Sequence, residues 1–264
     1  MTAEPITAWG VVAMYVLLVI PFGIILWARL PMLGQAVVSI VRMSVQLLFV
    51  GLYLQVVFRL NNPFLNLAWL LVMIAVADGS VLNGCGLRLG RLAAPLFVAL
   101  IIGTSIPLLY FIAFILRRPA VLDAQYVIPI GGMILGNCLR ADIIGIRTFF
   151  QSIRNSEKAY LQRLAEGATL SEAVRPFMVN ALHDAFAPTL ATTATMGLVS
   201  LPGMMTGVIL GGAAPMTAIL YQIAIMIAIF TGTAITVLLG IQLCRKSGFT
   251  PWGTLNPDIF RSAK

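Results

Sequence analysis

The sequence predicts an all-α, polytopic membrane protein, and three observations predict it. Apolar residues make up 60% of the 264 residues and charged residues only 10%, against roughly 25% charged in soluble chains. Mean hydropathy is +0.98. The apolar residues gather in runs that fit about seven spans of ~20 residues, the length that crosses a bilayer core. The expected spans are 8–28, 36–58, 64–82, 93–116, 126–146, 191–212 and 217–243, in one transmembrane domain covering 1–264.

The first span lacks a preceding basic region and a small-residue cleavage site, so it reads as a retained helix and not a signal peptide. The second carries Arg42 and Gln46 one turn apart, on one face. Such a pair faces the bundle interior or a wet pathway, unless Arg42 snorkels to the interface. The third ends near Asp78, either an attractor for a cation or an interfacial carboxylate, and 78–84 reads as the loop that follows. The fifth contains Pro129, Gly131, Gly132, Gly136 and Asn137, then Arg140 and Asp142. Two residues apart, these last two point in different directions, so Asp142 is expected to pair with Arg42 or with another helix, or to serve substrate. The sixth holds Pro202, Gly203, Gly207 and Gly211. Glycines four apart share a face and admit a second helix closely. Both spans read as interrupted, and irregular backbone in a bilayer must be buried or line a cavity. Met133, Met204 and Met205 are either soft metal ligands or flexible filler.

The charge distribution gives an orientation. The net charge is +8, from 17 Lys and Arg against nine Asp and Glu. With the N-terminus outside, Arg29, Arg88, Arg91, Arg147, Arg154, Lys158, Arg163, Arg175, Arg245, Lys246, Arg261 and Lys264 share the inner side. Only Arg59, Arg117 and Arg118 fall outside. This positive-inside bias predicts N-out and C-in with an odd number of spans, and it removes nucleic acid as the reason for the basic excess. Cys85, Cys138 and Cys244 are too scattered for a disulfide framework or a zinc site. His183 is the only histidine, so a cage of histidines is excluded.

The outer connections are short. The long connection, 147–190, holds five basic and four acidic residues, and loops of such length are usually functional. Residues 157–166 read as a helix stopped at Gly167. Thr169-Leu-Ser-Glu172 follows at capping-box spacing and opens a short helix. The segment is either a solvated helical loop or an elbow that receives a soluble partner.

Four segments carry a resemblance: Val41-Arg-Met-Ser-Val-Gln-Leu47, Ile128-Pro-Ile-Gly-Gly-Met-Ile-Leu-Gly-Asn137, Glu166-Gly-Ala-Thr169, and Gly197 through Tyr221-Gln222. Together they resemble the FetB-type ABC permeases, membrane subunits of bacterial iron exporters, a family that includes plant aluminium-tolerance permeases. The similarity runs in order from about 36 to 230, and Leu-Val-Ser-Leu-Pro-Gly-Met-Met-Thr-Gly is its most specific element. The resemblance implies a bacterial inner-membrane permease working as a homodimer with a separate ATP-binding subunit, which would hold the ATP and magnesium. It also implies that Glu166, Gly167, Ala168, Thr169, Glu172 and Arg175 form the coupling site. Departures are Glu166 in place of leucine, Ala194-Thr-Met-Gly197 without the lysine common in relatives, and the charged pair after Asn137. Iron, another metal and a small organic solute all stay open as substrates.

Enzyme readings fit less well. Lys158, Lys246 and Lys264 lie outside the spans, so no Schiff-base lysine exists, and no span carries a histidine for serine chemistry. Asp78 and Asp142 lack the sequence context of an intramembrane aspartyl hydrolase. There is no Gly-x-x-x-x-Gly-Lys-[Ser/Thr] loop to cradle phosphates, so the chain itself is not expected to hydrolyse ATP. A stand-alone ion-coupled transporter or channel, with Arg42, Asp78, Arg140 and Asp142 on its path, is the alternative.

Overall fold

The computed structural model describes residues 7–117, 122–199 and 201–260. Arg118, Arg261 and Lys264 of the charge count, and Ser200 of the glycine-rich run, lie outside them. Among the described residues there are ten α-helices and no β-strand: α1 (Ala8–Val16), α2 (Val19–Trp27), α3 (Leu33–Leu60), α4 (Pro63–Cys85), α5 (Leu89–Tyr110), α6 (Ala124–Asn155), α7 (Glu157–Ala165), α8 (Leu170–Thr195), α9 (Gly203–Leu210) and α10 (Pro215–Gly248). A π-helical turn, Phe111–Ile115, extends α5. Six stretches are long and apolar enough to cross a membrane: Trp9–Trp27, Leu33–Leu60, Pro63–Cys85, Gly90–Ile115, Ala124–Asn155 and Pro215–Gly248. The protein is therefore a polytopic all-α membrane protein.

Three expectations are corrected. Residues 191–212 are not one helix. Met196 turns extended, Gly197 is left-handed at φ +85°, and Pro202, which has no N–H to continue a ladder, precedes the eight-residue α9. The chain thus passes from the α7 end of the bundle to the opposite end through α8, a break, and α9. The fifth span is not interrupted. α6 is continuous for 32 residues: Pro129, its sixth residue, leaves only the Gln125 carbonyl without its helical donor, and the helix runs on through it. Finally, residues 78–84 are not a loop: α4 continues to Cys85 and ends at Gly86, left-handed at φ +70°.

Local chemistry accounts for the helix starts. Asn62 accepts a hydrogen bond from the Phe64 amide at 2.9 Å, and Pro63 occupies the first helical position of α4, where its missing N–H costs nothing. Asp123 caps α6 by accepting from the Gln125 amide at 3.1 Å. Both caps lie at one end of the bundle, where Asn66 Nδ2 donates to the Leu122 carbonyl at 2.8 Å and the Ala124 amide donates to Asn61 Oδ1 at 3.0 Å.

The core lies among α4, α5, α6, α8 and α10. α2 contributes no buried residue and α3 only Val57, so their apolar side chains face outward. In a bilayer that is the face for lipid or another helix. Glycines set the closest core crossings. A Cβ on Gly103 would lie 2.3 Å from Thr236 Cγ2, and one on Gly232 would lie 2.9 Å from the Gly103 carbonyl oxygen. Missing side chains are what let α5 and α10 approach so closely.

The other end of the bundle is closed by aromatic rings and the C-terminal tail. Phe149 and Phe150 meet edge to face at 5.1 Å, and the Tyr160 ring lies 5.9 Å from Phe249 and 6.3 Å from Phe177. The Tyr160 hydroxyl donates to the Gly253 carbonyl at 2.5 Å, and the Arg88 amide donates to the Ile259 carbonyl at 2.8 Å. Burial pushes the Tyr160 hydroxyl up to about 12, so it remains a donor at any physiological pH. The tail fastens α7 to the rest of this end.

Candidate functional site

The turn between α7 and α8 is built from two complementary stops. Gly167, at φ +92°, takes the left-handed conformation that closes a helix at little cost for glycine. Its amide donates to the Leu164 carbonyl at 3.1 Å, and the Ala168 amide to the Arg163 carbonyl at 3.0 Å. This is the paired closure of a Schellman motif. The next helix starts one residue later. Thr169 Oγ1 accepts from the Glu172 amide at 3.3 Å, while Glu172 Oε2 accepts from the Thr169 amide at 2.8 Å. The capping box expected from spacing is therefore formed. Hydrogen bonds from Thr169 hold the Glu172 carboxyl below its ordinary value. With stop and start in four residues, the turn has one defined shape.

Its exposure is asymmetric. Ala168 and Leu170 are half-buried against the core, and Tyr160 of α7 is fully buried within it. Glu166, Gly167, Thr169, Glu172 and Arg175 face solvent. Glu166 accepts a hydrogen bond from Gln162 Nε2 at 2.9 Å. α8 runs well beyond the short helix expected, 26 residues through Pro176 and Pro188. α8 therefore joins the turn to the opposite end of the bundle as one continuous helix.

The polar residues of the spans are distributed differently from expectation. Asp142 is completely buried, and neither of its oxygens has a hydrogen-bond partner. It does not pair with Arg42, which is exposed on α3 together with Gln46. Among the described residues the one ion pair is His183–Asp184. Asp142 instead lies beside Thr236 of α10, and the buried Thr104 and Thr233 hydroxyls are likewise without partners. The Thr236 hydroxyl is close enough to act on the carboxyl but donates to the Thr233 carbonyl at 3.2 Å. Asp78 is buried rather than interfacial, and its Oδ1 has no partner. No group of three or more His, Cys, Asp or Glu capable of holding a metal occurs among the described residues. Met205 is buried, and Met133 and Met204 are half-buried against the core.

Two cavities open on the α8 side of the bundle. One, about 140 Å³, lies between α6 and α8 and is lined by Asn137, Arg140, Thr189 and Thr192. The other, about 530 Å³, lies between the end of α8, α9 and α10, with Met196, Met205, Gln222 and Phe230 in its wall. Asn137 Nδ2 donates to the Met133 carbonyl at 2.8 Å. The candidate glycines divide into two groups. A Cβ on Gly131 or Gly132 would meet Leu70 or Met73 at 3.1 Å, whereas around Gly136, Gly203 and Gly207 nothing lies within 4 Å. Around Gly211 only its own helix backbone does. Gly131 and Gly132 therefore pack inside the chain, and the other four present bare surface. Sequence reasoning missed Thr189 and Thr192 of α8, whose three-residue spacing on one helical face was the signal for them, and the tail that braces α7.

The family model described as "Uncharacterised protein family (UPF0014)" matches residues 8–249. The chain belongs to the UPF0014 family. The match spans α1 through α10 and includes the turn and both cavities. The UPF0014 membrane protein slr1647 of Synechocystis is 33% identical over 221 residues, covering 83% of this chain and 85% of that protein. The Arabidopsis thaliana protein ALUMINUM SENSITIVE 3 is 30% identical over 232 residues, 87% and 82% of the two chains. The Escherichia coli protein described as "Probable iron export permease protein FetB" is 28% identical over 205 residues, 78% of each. No solved structure matches. With these relatives and its apolar helices, this UPF0014 chain is a multi-pass membrane permease.

Proposed function

We propose that this chain is the membrane-spanning subunit of an ABC transporter, working as a pair of copies with a separate ATP-binding subunit. The observation that carries the reading is the exposed Glu166–Thr169 turn, fixed by its Schellman and capping-box hydrogen bonds and continuous with α8. A soluble ATPase needs a firm handle to move membrane helices, and among the described residues this turn is such a handle. The chain itself carries no phosphate-binding loop, so the nucleotide and magnesium belong to the partner. Residues 147–190 are the coupling segment on the cytoplasmic side, with the N-terminus outside and the C-terminus inside. The basic residues clustered at that end support this orientation.

ATP binding by the partner would press Glu166, Gly167, Thr169, Glu172 and Arg175, and α8 would carry the displacement to the break at Met196–Pro202. The bare glycine face at Gly203, Gly207 and Gly211 then re-packs against the second copy and switches access to the path. Export of iron or another metal from a bacterial inner membrane is the direction and cargo suggested by the FetB relative. A small organic solute is the alternative. The buried, unpartnered Asp142 favours a second reading, a stand-alone ion-coupled transporter, because such carboxyls mark ion paths in membranes.

Affinity purification of the tagged protein in mild detergent, with mass spectrometry of what accompanies it, tests the proposal. A stoichiometric soluble ATPase, lost in Gly167→Pro, is expected. A lone oligomer recovered repeatedly intact would transfer the argument to Asp142.

A further inference from the structure

α6 carries three arginines at heptad spacing: Arg140, Arg147 and Arg154. Residues seven apart on an α-helix are offset by only about 20° and rise about 10.5 Å. The three guanidinium groups therefore climb one face of α6 from its basic end to its middle. All three side chains are exposed. None has an acidic partner, since the single ion pair among the described residues is His183–Asp184. Arg147 Nε donates to Gln151 at 3.4 Å, and Arg154 stacks over the Phe260 ring at 4.8 Å. Both interactions leave the positive charge uncompensated. Arg140 makes no hydrogen bond with a described residue and stands in the α6–α8 cavity beside Asn137, Thr189 and Thr192. The Thr192 hydroxyl donates to the Pro188 carbonyl at 2.9 Å, which leaves Arg140 and Asn137 as donors of this space. The nearest acid along this face of α8, Asp184, is engaged by His183 at 3.4 Å.

We infer that this ladder and cavity form a binding site for an anionic ligand, one bearing phosphate or carboxylate oxygens, entered from the basic end and read at Arg140. The inference rests on the permease reading and specifies its cargo: a metal would travel here as an anionic complex and not as a bare cation. A fixed guanidinium repels a free divalent ion, while its planar fork matches a phosphate or carboxylate. Neutral donors at Asn137 would complete the oxygen shell. Such a charge is kept in an apolar span only where it meets a wet path or a ligand. The same chemistry is offered by a soluble anion and by an anionic lipid headgroup.

The test uses the full-length protein carrying Thr192→Cys, reconstituted in nanodiscs of phosphatidylcholine or of phosphatidylglycerol. The native Cys85, Cys138 and Cys244 are buried and supply a low background. Modification rates are compared for a negatively and a positively charged methanethiosulfonate of similar size, each normalised to a free thiol. The negative reagent is expected to be favoured by roughly 30-fold, because one unit charge acting across a few ångströms of water shifts each reagent's rate about fivefold, in opposite directions. Arg140→Gln should abolish the preference and Arg140→Lys restore it. Inorganic pyrophosphate should protect the introduced thiol in phosphatidylcholine if the ligand is soluble. Protection in phosphatidylglycerol alone, without pyrophosphate, identifies a headgroup. Equal rates for both reagents, a preference for the positive one, or no reaction with either would overturn the site. Because the ATPase is absent from this assay, that failure is separate from a failure of partner recruitment.

Discussion

Alanine at Gly103 should destabilise the bundle, while alanine at Gly136 should not. Both glycines are interior to long helices, so each substitution gains about 1 kcal/mol of helix propensity. At Gly136 nothing lies within 4 Å of the new Cβ, and that gain is the whole effect. At Gly103 the Cβ would come within 2.3 Å of Thr236 Cγ2, 3.0 Å of the Thr236 amide nitrogen and 3.1 Å of the Gly232 carbonyl oxygen. The methyl can rotate, but the two backbone atoms move only if α10 slides along α5. Overpacking of this kind costs about 1–3 kcal/mol, and rigid backbone neighbours place it toward the upper end. The net for Gly103→Ala is then a loss of about 1–2 kcal/mol. At about 2–4 °C per kcal/mol for a chain of this size, the midpoint should fall by roughly 2–8 °C. Thermal unfolding in detergent, followed by loss of the monodisperse chromatographic peak, reads both variants. A Gly103→Ala midpoint equal to or above that of Gly136→Ala would refute the close crossing of α5 and α10.

Gly207→Leu should leave insertion intact and not lower the thermal midpoint, since the position faces open space in the single chain and leucine is the better helix former, yet abolish transport; normal flux would remove the packing role between copies. Tyr160→Phe should cost about 1 kcal/mol by leaving the Gly253 carbonyl unpaired, with faster amide exchange in the tail as the direct signature. The Glu172 carboxyl lies below its ordinary 4.5 when folded, so its contribution is present above 4.5 and lost as pH falls through the lower folded value. Amide exchange at 170–174, corrected for intrinsic rates, should therefore loosen at acid pH in the wild type and be flat in Glu172→Gln. Equal acid sensitivity in both would dismiss the carboxylate as the cap.

The elements read correctly from the chain are those governed by neighbours in sequence. Apolar run length decided which segments cross a bilayer. Gly167 and the Thr169–Glu172 spacing decided the elbow, because Schellman closure and capping box need only residues within five positions. The same local reasoning overran at Pro129, because one lost hydrogen bond does not break a long helix packed on its neighbours, and at 191–212, where apolarity concealed a turn at Gly197. Tertiary structure alone decided the rest. Asp142 is buried without a partner because neighbouring helices, α10 with Thr236 among them, pack against α6 there, and no spacing within α6 records that. Gly103 and Gly232, 129 positions apart in sequence, are glycine because two backbones touch there. Arg140, Thr189 and Thr192 became one cavity only when α8 folded back antiparallel along α6. The sequence by itself determined a membrane-spanning helical chain with a hard turn on its basic side; which polar groups meet inside it depended on how the helices pack, since partners from different helices are chosen by space and not by order.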